Sequence, residues 1–383
     1  RLMSAETVHN PAKALIDGEA LQHNLCCVKK HAPRSKMISV IKANAYGHGM
    51  IQAAMALDES DAFAVARIDE ALKLRRQGIS KPIMLLEGMI VSENIQQQFF
   101  LCHQFNFVPV FHCREQLVSL IQFAKTRPNL CKNFNYWLKL DTGMHRLGFA
   151  ETELQAILNL LKNETGLASP LGIMSHFACA DEKNNLLNRS QQQMFERLYS
   201  ECGFADAEKS MANSAAILSL PEVAYDWVRP GIMLYGVSPF TTGTGLNEGL
   251  KPVMTLTSKV IAVKHLNKGD TIGYGCSWRC PQDMPVAVIA IGYGDGYPRH
   301  AQSGTPVLIN GIQVPLVGRV SMDMITVDLR AFGRSSKAVQ VGDDVTLWGQ
   351  GLPIEWVARK ASTIGYELLC QVTRRVHFEY LNC

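Results

Sequence analysis

Several titratable and polar side chains of this sequence come at or just after the ends of short apolar runs. They are Lys42, Lys139, Asp141, Arg146, His176, Asn213, Ser214 and Arg229. A lysine amine can form a Schiff base with a carbonyl compound, and a hydroxyl at a strand-to-helix turn can bind phosphate. The residue types therefore predict a site for a phosphorylated carbonyl compound, provided that the fold brings these runs together.

The runs alternate with segments of helical period from residue 37 to about 235. Eight of them are typical of short, buried strands: Met37–Lys42, Ala62–Ala66, Pro82–Glu87, Phe107–Phe111, Asn135–Asp141, Leu171–His176, Met211–Asn213 and Asp226–Arg229. Four intervening segments have the spacing of helices packed on a sheet: Ile68–Gln77, Arg114–Lys125, Glu151–Lys162 and Arg189–Cys202. This repetition predicts an α/β protein whose first domain, residues 11–240, is a (β/α)8 barrel of TIM type.

The pattern changes after Pro239, where the Gly- and Thr-rich stretch Thr241–Gly249 indicates a linker. Six later runs favour strands: Thr255–Leu266, Val286–Gly292, Thr305–Asn310, Gln313–Val317, Ile325–Leu329 and Asp344–Trp348. Asn310–Gly311 predicts a tight hairpin turn, and only Ile354–Lys360 and Thr363–Val372 have helical character. We expect a smaller, mainly β domain over residues 250–383.

In a barrel of this kind the functional groups lie where the strands end, at the carboxyl face. That rule brings Lys42, His176 and Arg229 to one rim. The loops after strands seven and eight commonly form a phosphate site, and here they carry Ser214 and Gly231. Pyridoxal phosphate satisfies the demands of the lysine and of these loops, and so does a sugar phosphate in an aldolase-type barrel. The residues alone leave both ligands open.

Composition narrows the class of protein. Hydrophobic residues make up 47% and charged residues 19% of the 383, an ordinary balance for a folded chain. The net charge of +4 is spread without a block of like charges, so we expect no nucleic-acid partner. No apolar run approaches the roughly 20 residues of a membrane span. Eleven cysteines, without a secretory segment or zinc-site spacing, favour free thiols in the cytoplasm and no metal.

Eight segments follow one another in an order and spacing that chance does not explain, although any one of them is weak evidence. They are VIKANAYGHG at 40–49, LKLDTGMHRLGF at 138–149, SHFACADE at 175–182, ANSAA at 212–216, DWVRPGIMLYG at 226–236, IGYGDGYPR at 291–299, VGRVSMDM at 317–324 and GYELLCQVTRRV at 365–376. Over nearly the whole chain they resemble the bacterial alanine racemases, a fold-type III pyridoxal phosphate family. The resemblance implies an isomerase that interconverts L-alanine and D-alanine and supplies D-alanine for peptidoglycan.

The resemblance also implies two bases on opposite faces of the substrate. Lys42 would hold the cofactor and act on the α-proton of the D-enantiomer, while Tyr274 of the β domain would act on the L-enantiomer. An amine needs a lowered pKa for this work. A phenol, with an ordinary pKa of about 10, needs a neighbour such as His176. An isolated lysine or tyrosine is usually structural, so both assignments depend on the motifs around them.

The other implied contacts surround the cofactor. Arg229 would face the pyridine nitrogen, and because arginine does not readily release a proton, that nitrogen would remain an acceptor. The phosphate would be held by Tyr46, Ser214, Gly231, Ile232 and Tyr366, with Asn213 close by. Ser214 has an alternative role as a helix N-cap, since capping and phosphate binding use the same geometry.

On the substrate side, Arg146, Met322 and Asp323 are the implied binding residues, with Arg146 paired to the carboxylate. Lys139 matches a position that is carbamylated in many relatives, where the new anion orients the arginine. Asp141 is the competing partner for either cation.

Because Tyr274, Met322 and Asp323 belong to the β domain and reach the cofactor of the other subunit in this family, the implied assembly is a head-to-tail homodimer. Three rival functions are weighed against this one. A non-catalytic cofactor carrier has no need for Tyr274 or Arg146, and a fold-type III decarboxylase is expected to have an acidic residue where this chain has Arg229. A racemase of broader specificity, acting on serine or other amino acids, is the closest rival.

Overall fold

The computed structural model describes residues 10–164, 166–333 and 339–383 of the chain. Within these ranges the chain forms a closed barrel of eight strands and a mainly β domain built on an eight-stranded sheet. The first strand, β1 (Lys13–Asp17), belongs to the sheet and not to the barrel. The fold class expected from the sequence is therefore confirmed.

The barrel strands pair in parallel in chain order and close between the last and the first. They are β2 (Lys36–Val40), β3 (Ala62–Val65), β4 (Ile83–Leu85), β5 (Phe107–Phe111), β6 (Trp137–Lys139), β7 (Gly172–Met174), β8 (Glu208–Ser210) and β9 (Trp227–Val228). Every residue of β3, β4 and β5 is buried, as expected for parallel strands covered on both faces. The side chain of Trp137 fills the interior where Gly172 has none.

The helices that cover the barrel and join its strands are Gly18–His31, Met50–Ala56, Ile68–Arg76, Ile95–Phe105, Arg114–Thr126, Pro128–Cys131, Glu151–Lys162, Leu186–Cys202 and Ser214–Ser219. Gly18–His31 begins at Asp17, whose carboxylate accepts from the backbone N–H groups of Glu19 and Ala20, which are otherwise unpaired at a helix start. No helix in the described part of the chain has both the length and the apolarity to cross a bilayer.

The seventh barrel strand differs from the prediction. Met211–Asn213 was the predicted strand, whereas β8 spans the preceding residues Glu208–Ser210. Because Glu208 and Lys209 are charged, this strand does not form an apolar run that could be recognised in the sequence. Glu208 pairs with Lys36 at 3.0 Å and also accepts from the indole of Trp227, so its charge is balanced at the amino end of the barrel.

In the β domain, β10 (Met254–Leu266) pairs antiparallel with β1, and β1 pairs in parallel with the last strand. The remaining strands are β11 (Thr271–Ile272), β12 (Trp278–Arg279), β13 (Met284–Ile289), β14 (Pro306–Ile309), β15 (Ile312–Pro315), β16 (Ile325–Asp328), β17 (Asp344–Trp348) and β18 (His377–Leu381). Residues 13–17, assigned from sequence to the barrel domain, thus complete this sheet. They do so because alternate side chains, Ala14 and Ile16, are buried against it.

Two connections can be compared with the predicted turn and the predicted linker. Asn310 and Gly311 join β14 to β15 with positive φ values of 49° and 77°, as expected for a two-residue hairpin. The segment Thr241–Gly249 is not a loose linker, because it contains a 3-10 turn, Gly245–Glu248. The buried carboxylate of Glu355 accepts from the backbone N–H of Gly245 at 2.8 Å and ties this turn to the β domain.

The helices Ile354–Lys360 and Gly365–Gln371 follow β17 and pack over the mouth of the barrel. Further 3-10 turns occur at Pro221–Val223, Ile232–Tyr235, Tyr274–Cys276, Tyr293–Asp295 and Arg330–Phe332.

Candidate active site

The carboxyl end of the barrel opens into a cavity of about 1220 Å³. Ten predicted site residues of the barrel domain line it: Lys42, Tyr46, Lys139, Arg146, His176, Asn213, Ser214, Arg229, Gly231 and Ile232. Tyr366 reaches the same cavity from the helix Gly365–Gln371 of the β domain. The residues predicted from the ends of the barrel strands and those predicted from the sequence motifs therefore line the same cavity.

Lys42 lies two residues beyond β2, at the start of a turn in which residues 43–46 all have positive φ. The carboxylate of Glu70 holds this turn by accepting from the backbone N–H of Ala43 at 3.0 Å. Burial, together with the positive charge of Arg146, lowers the pKa of the Lys42 amine. A larger fraction of this amine is therefore uncharged near neutral pH than of an exposed lysine.

Lys139 ends β6 and is almost completely buried. Burial lowers its pKa to about 7, and the nearby charges of Arg229, Arg146 and Lys42 act in the same direction. Within the described residues the side chains of Lys139 and Arg146 have no hydrogen bond and no ion pair. The site thus gathers four basic side chains, Lys42, Lys139, Arg146 and Arg229, none of which forms an ion pair with a carboxylate in this part of the chain.

Asp141, the competing partner for these cations, is turned toward its own loop. Its Oδ1 accepts from the backbone N–H groups of Gly143 and His145, both at 3.0 Å, and its Oδ2 lies 3.0 Å from Nδ1 of His145. These hydrogen bonds from His145 and Gly143 lower the pKa of Asp141 against the opposing effect of its desolvation. Asp141 therefore forms no ion pair with Arg146 or Lys139 among the described residues, although its charge raises the pKa of Lys139 against the larger effect of burial.

Arg229 follows β9 and is buried across the bottom of the cavity. One terminal nitrogen donates to the hydroxyl of Ser210 at 2.6 Å, and the other donates to the backbone carbonyl of Ser175 at 2.6 Å. That second nitrogen also lies 3.2 Å from Nδ1 of His176. Burial lowers the pKa of Arg229 to about 10, so it remains a cation and a donor at neutral pH.

The contact with Arg229 determines which ring nitrogen of His176 is protonated. Since a guanidinium has only donors, Nδ1 of His176 accepts, and the neutral ring has its proton on Nε2. Burial, with the charge of Arg229 next, holds the pKa of His176 well below its ordinary value. The carboxylate of Asp226, three residues before Arg229, accepts from the backbone N–H of Lys209 at 2.7 Å and forms no ion pair with Arg229 in the described structure.

The loops after β8 and β9 meet at Ser214. Its hydroxyl oxygen accepts from the backbone N–H of Gly231 at 2.9 Å and of Met233 at 3.2 Å. The side chain of Asn213, not that of Ser214, caps the helix Ser214–Ser219 by accepting from the N–H of Ala216 at 3.1 Å. The alternative role of Ser214 as the N-cap is wrong, and its hydroxyl lies where two chain segments converge.

Two phenols complete this corner of the cavity. The rings of Tyr46 and Tyr366 lie 6.1 Å apart between centroids, and a Cβ at Gly231 would collide with the hydroxyl of Tyr46. Burial raises the pKa of Tyr46, and it raises that of Tyr366 to about 12. Both therefore remain protonated hydrogen-bond donors at neutral pH.

Three predicted residues do not line this cavity. Tyr274, Met322 and Asp323 lie on the surface of the β domain, where Tyr274 is 73% and Met322 52% exposed. Asp323 is held by Arg375 at 2.8 Å, and the carbonyl of Met322 accepts from the N–H of Gly294 at 2.8 Å. Within one chain, these residues do not meet the cavity that contains Lys42.

Sequence reasoning missed several polar residues of the cavity wall: Glu87, His112, Asp181, Glu355 and Cys370. Glu87 lies two residues beyond β4 and His112 directly follows β5, so the strand-end rule applied to those two strands would have found them. Glu355 and Cys370 belong to the β domain, and no local signal in the sequence brings them to the barrel.

Comparison with known proteins gives two family matches that divide the chain as the structure does. The model of the alanine racemase N-terminal domain matches residues 16–239, and that of the alanine racemase C-terminal domain matches residues 253–380. An alanine racemase from Coxiella burnetii is 47% identical over 374 residues, which cover 96% of this chain and 98% of that protein.

Solved structures agree with these matches. A biosynthetic alanine racemase from Pseudomonas aeruginosa has a TM-score of 0.88 at 40% identity, covering 97% of this chain and 100% of the other. An alanine racemase from Bartonella henselae with covalently bound pyridoxal phosphate has a TM-score of 0.86 at 30% identity, covering 97% and 99%. The chain is therefore an amino-acid isomerase that acts on alanine, and it belongs to the alanine racemase family.

Proposed function

We propose that the chain racemises alanine with pyridoxal phosphate held in the barrel cavity, using Lys42 of one protomer and Tyr274 of its partner as bases on opposite faces of the substrate. The proposal rests on the cluster of Lys42, Lys139, Arg146 and Arg229 around one cavity, where no carboxylate among the described residues forms an ion pair with any of the four. Glu87 of the cavity wall pairs with Arg67 instead. A cofactor phosphate and a substrate carboxylate would supply the missing negative charge.

The residues present fit this cofactor. Gly231 has no side chain where one would displace Tyr46, and hydroxyls of Tyr46, Tyr366 and Ser214 line the same corner as the backbone N–H of Ile232. Asn213 lies beside them as the cap of the adjoining helix. When bound, pyridoxal phosphate would acidify the α-proton of an attached amino acid, so that a side-chain base could remove it.

Lys42 is the proposed residue for covalent attachment, as in the Bartonella henselae relative, which contains covalently bound pyridoxal phosphate. Its lowered pKa leaves the amine uncharged often enough to attack a carbonyl carbon and later to accept a proton. In the proposed reaction it removes the α-proton of D-alanine and returns a proton on that face when L-alanine is the substrate.

Tyr274 is the proposed base for L-alanine. Its exposed phenol cannot serve the cavity of its own chain in the geometry described above, so we propose a head-to-tail homodimer in which it enters the cavity of the partner. There the Nε2–H of His176 would donate to the phenolate oxygen and stabilise its negative charge. Met322 and Asp323 of the β domain would reach the same cavity.

Arg229 is proposed to donate to the pyridine nitrogen. Its other donors are already fixed by Ser210 and Ser175, so its direction is set before any ligand arrives. Because a guanidinium with a pKa of about 10 keeps its proton at neutral pH, Arg229 would donate a hydrogen bond to the ring nitrogen without protonating it, and the bound ring would withdraw electrons less strongly. Fast return of the α-proton is then favoured over transamination.

On the substrate side, Arg146 would bind the carboxylate with its fork of donors, helped by the backbone of Met322. We propose that Lys139 is carbamylated. An amine with a pKa of about 7 is largely uncharged at slightly alkaline pH, and a carbamate would give Arg146 and Arg229 the anion that Asp141 does not provide.

We also propose a biosynthetic role, supplying D-alanine for peptidoglycan in the cytoplasm. The Pseudomonas aeruginosa relative is a biosynthetic alanine racemase. All eleven cysteines fall within the described ranges and are free thiols, which suits a reducing compartment.

Replacing Lys42 by alanine tests the cofactor assignment. The variant should lose the absorption band of covalently bound cofactor and its turnover with L-alanine. Lys36→Ala is the matched control, because Lys36 lies at the other end of β2 and pairs with Glu208 on the surface. If Lys42→Ala retained both the band and full turnover, the proposed function would be wrong.

A further inference from the structure

The chain leaves the end of β2 through a strained turn. Residues 43–46 all have φ between 52° and 55°, in the left-handed region, and none of them is glycine. Other L-residues enter that region singly, because Cβ crowds the following carbonyl oxygen. Four in succession persist only if the surroundings hold them there.

His48 lies just after this turn and is completely buried. Its Nδ1 is 2.9 Å from the carbonyl oxygen of Ala45 and 3.1 Å from that of Tyr46, so the Nδ1–H donates to both. Burial lowers the pKa of His48 to about 4, and the neutral ring therefore has a single N–H. Its Nε2 has no partner in the described part of the chain, so the whole donor capacity of His48 is directed to the turn.

The ring of His48 also begins a stack of aromatic side chains. Its centroid is 4.6 Å from that of Tyr235, which lies 4.8 Å from that of Tyr46. The hydroxyl of Tyr235 donates to the carbonyl of Val40 at 2.9 Å, which attaches the stack to the end of β2. His48 is thus linked to Tyr46 directly, through the backbone carbonyl of Tyr46, and indirectly, through the ring of Tyr235 that lies between them.

We infer that His48 is a positioning residue for the cofactor phosphate, acting through Tyr46, whose phenol it holds against Gly231. The inference rests on the proposed function, in which Tyr46 binds phosphate. His48 is not among the residues that line the cavity in the described structure, so it acts without touching cofactor or substrate.

Two variants separate the donor from the ring. His48→Asn keeps an N–H near the position of Nδ1 and removes the ring, while His48→Phe keeps a ring and removes the donor. The probe is pyridoxine 5′-phosphate, which has no aldehyde and cannot bond covalently to Lys42, and pyridoxine is the matched probe without phosphate. Dissociation constants are measured by titration of the cofactor-free protein.

His48→Phe should weaken binding of pyridoxine 5′-phosphate about tenfold, because the hydroxyl of Tyr46 would lose its hydrogen bond to the charged phosphate. Binding of pyridoxine, which has no phosphate, should be unchanged. His48→Asn should retain most of the affinity. In a Tyr46→Phe background, His48→Phe should cause no further loss, because the pathway through the phenol is already broken.

A lowered melting temperature of cofactor-free His48→Phe would show that phenylalanine is too large for the buried site. In that case His48→Gln is used as the donor-lacking variant, because the glutamine amide lies near the position of Nε2 and not near that of Nδ1. An unchanged affinity of both donor-lacking variants, or an equal loss in the Tyr46→Phe background, overturns the inference. If Tyr46→Phe itself leaves the phosphate probe unaffected, the phosphate role of Tyr46 fails, and the inference fails with it.

Discussion

If Lys139 is carbamylated as proposed, substrate binding should depend on the concentration of carbon dioxide. A pKa of about 7 against an ordinary 10.5 corresponds to a preference of roughly 5 kcal/mol for the uncharged amine. At pH 8 the uncharged form should outnumber the charged form about tenfold. The uncharged amine attacks carbon dioxide, a carbon–nitrogen bond forms, and a proton is released to solvent. The site then has one anion in place of an uncharged amine.

The effect should fall on substrate binding through Arg146. A hydrogen bond to a charged group contributes about 1.5–3 kcal/mol, so the KM for L-alanine should rise about tenfold to a hundredfold when the carbamate is lost. We expect this rise in buffer stripped of carbon dioxide at pH 8, with recovery on adding bicarbonate and a smaller response at pH 6, where the amine is mostly protonated.

The assay combines kinetics with a direct signal. Initial rates with and without bicarbonate give KM, and carbon-13 bicarbonate should produce a carbamate resonance in the NMR spectrum. Lys139→Gln is the control, because it should give neither the resonance nor a response to bicarbonate. Absence of the resonance in the parent enzyme, together with a KM indifferent to bicarbonate, would refute the reasoning about this lysine.

Three further predictions follow from the same geometry. Tyr274→Phe should slow α-proton exchange of L-alanine more than that of D-alanine in deuterated water, and an equal loss would count against two bases. Gly231→Ala should raise the dissociation constant for pyridoxal phosphate at least about tenfold by displacing the Tyr46 hydroxyl, whereas Gly166→Ala, with no atom within 4 Å of its added Cβ, should not; equal effects would contradict the clash. The free energy of unfolding of the cofactor-free protein should increase as pH rises from about 7 to 10.5, by at most about 1.4 kcal/mol per pH unit, because in that range Lys139 is protonated in the unfolded chain and not in the folded one. Denaturant titrations of Lys139→Met should lack this contribution, and an identical pH dependence of the two proteins would contradict it.

Most of the barrel could be predicted because its strands are buried on both faces and its helices have one apolar side. Glu151–Lys162 and Asp344–Trp348 have the same limits in the sequence prediction and in the structure. The strand Glu208–Ser210 was missed because two of its three residues are charged, and the charge of Glu208 is paired with Lys36, which lies far away along the chain. The strand Lys13–Asp17 was missed for a related reason, since its alternating pattern has meaning only once β10 and β18 lie beside it.

The site divides in the same way. The strand-end rule identifies Lys42, His176 and Arg229 from residue type and position alone. Hydrogen-bond pairings follow from the three-dimensional paths of the loops, and for that reason the partner of Asp141 and the true helix cap, Asn213, could not be predicted. Tyr274 is a different case, because no local pattern distinguishes it from a structural tyrosine. Its proposed role comes from the family resemblance and stays a prediction.

The central claim is that each active site takes Lys42 from one protomer and Tyr274 from the other, and mixing two inactive variants tests it directly. Lys42→Ala and Tyr274→Phe are each purified, mixed in equal amounts, unfolded reversibly and refolded together. In a head-to-tail dimer every mixed dimer has one site with both lesions and one site with none.

Random reassociation makes half of the dimers mixed, so the mixture should recover about one quarter of the parent racemase activity, while each variant refolded alone stays inactive. If instead Lys42 and Tyr274 of the same chain worked together, every site in the mixture would have one lesion. Recovery of about a quarter is the predicted result, and a mixture as inactive as its components would contradict the account.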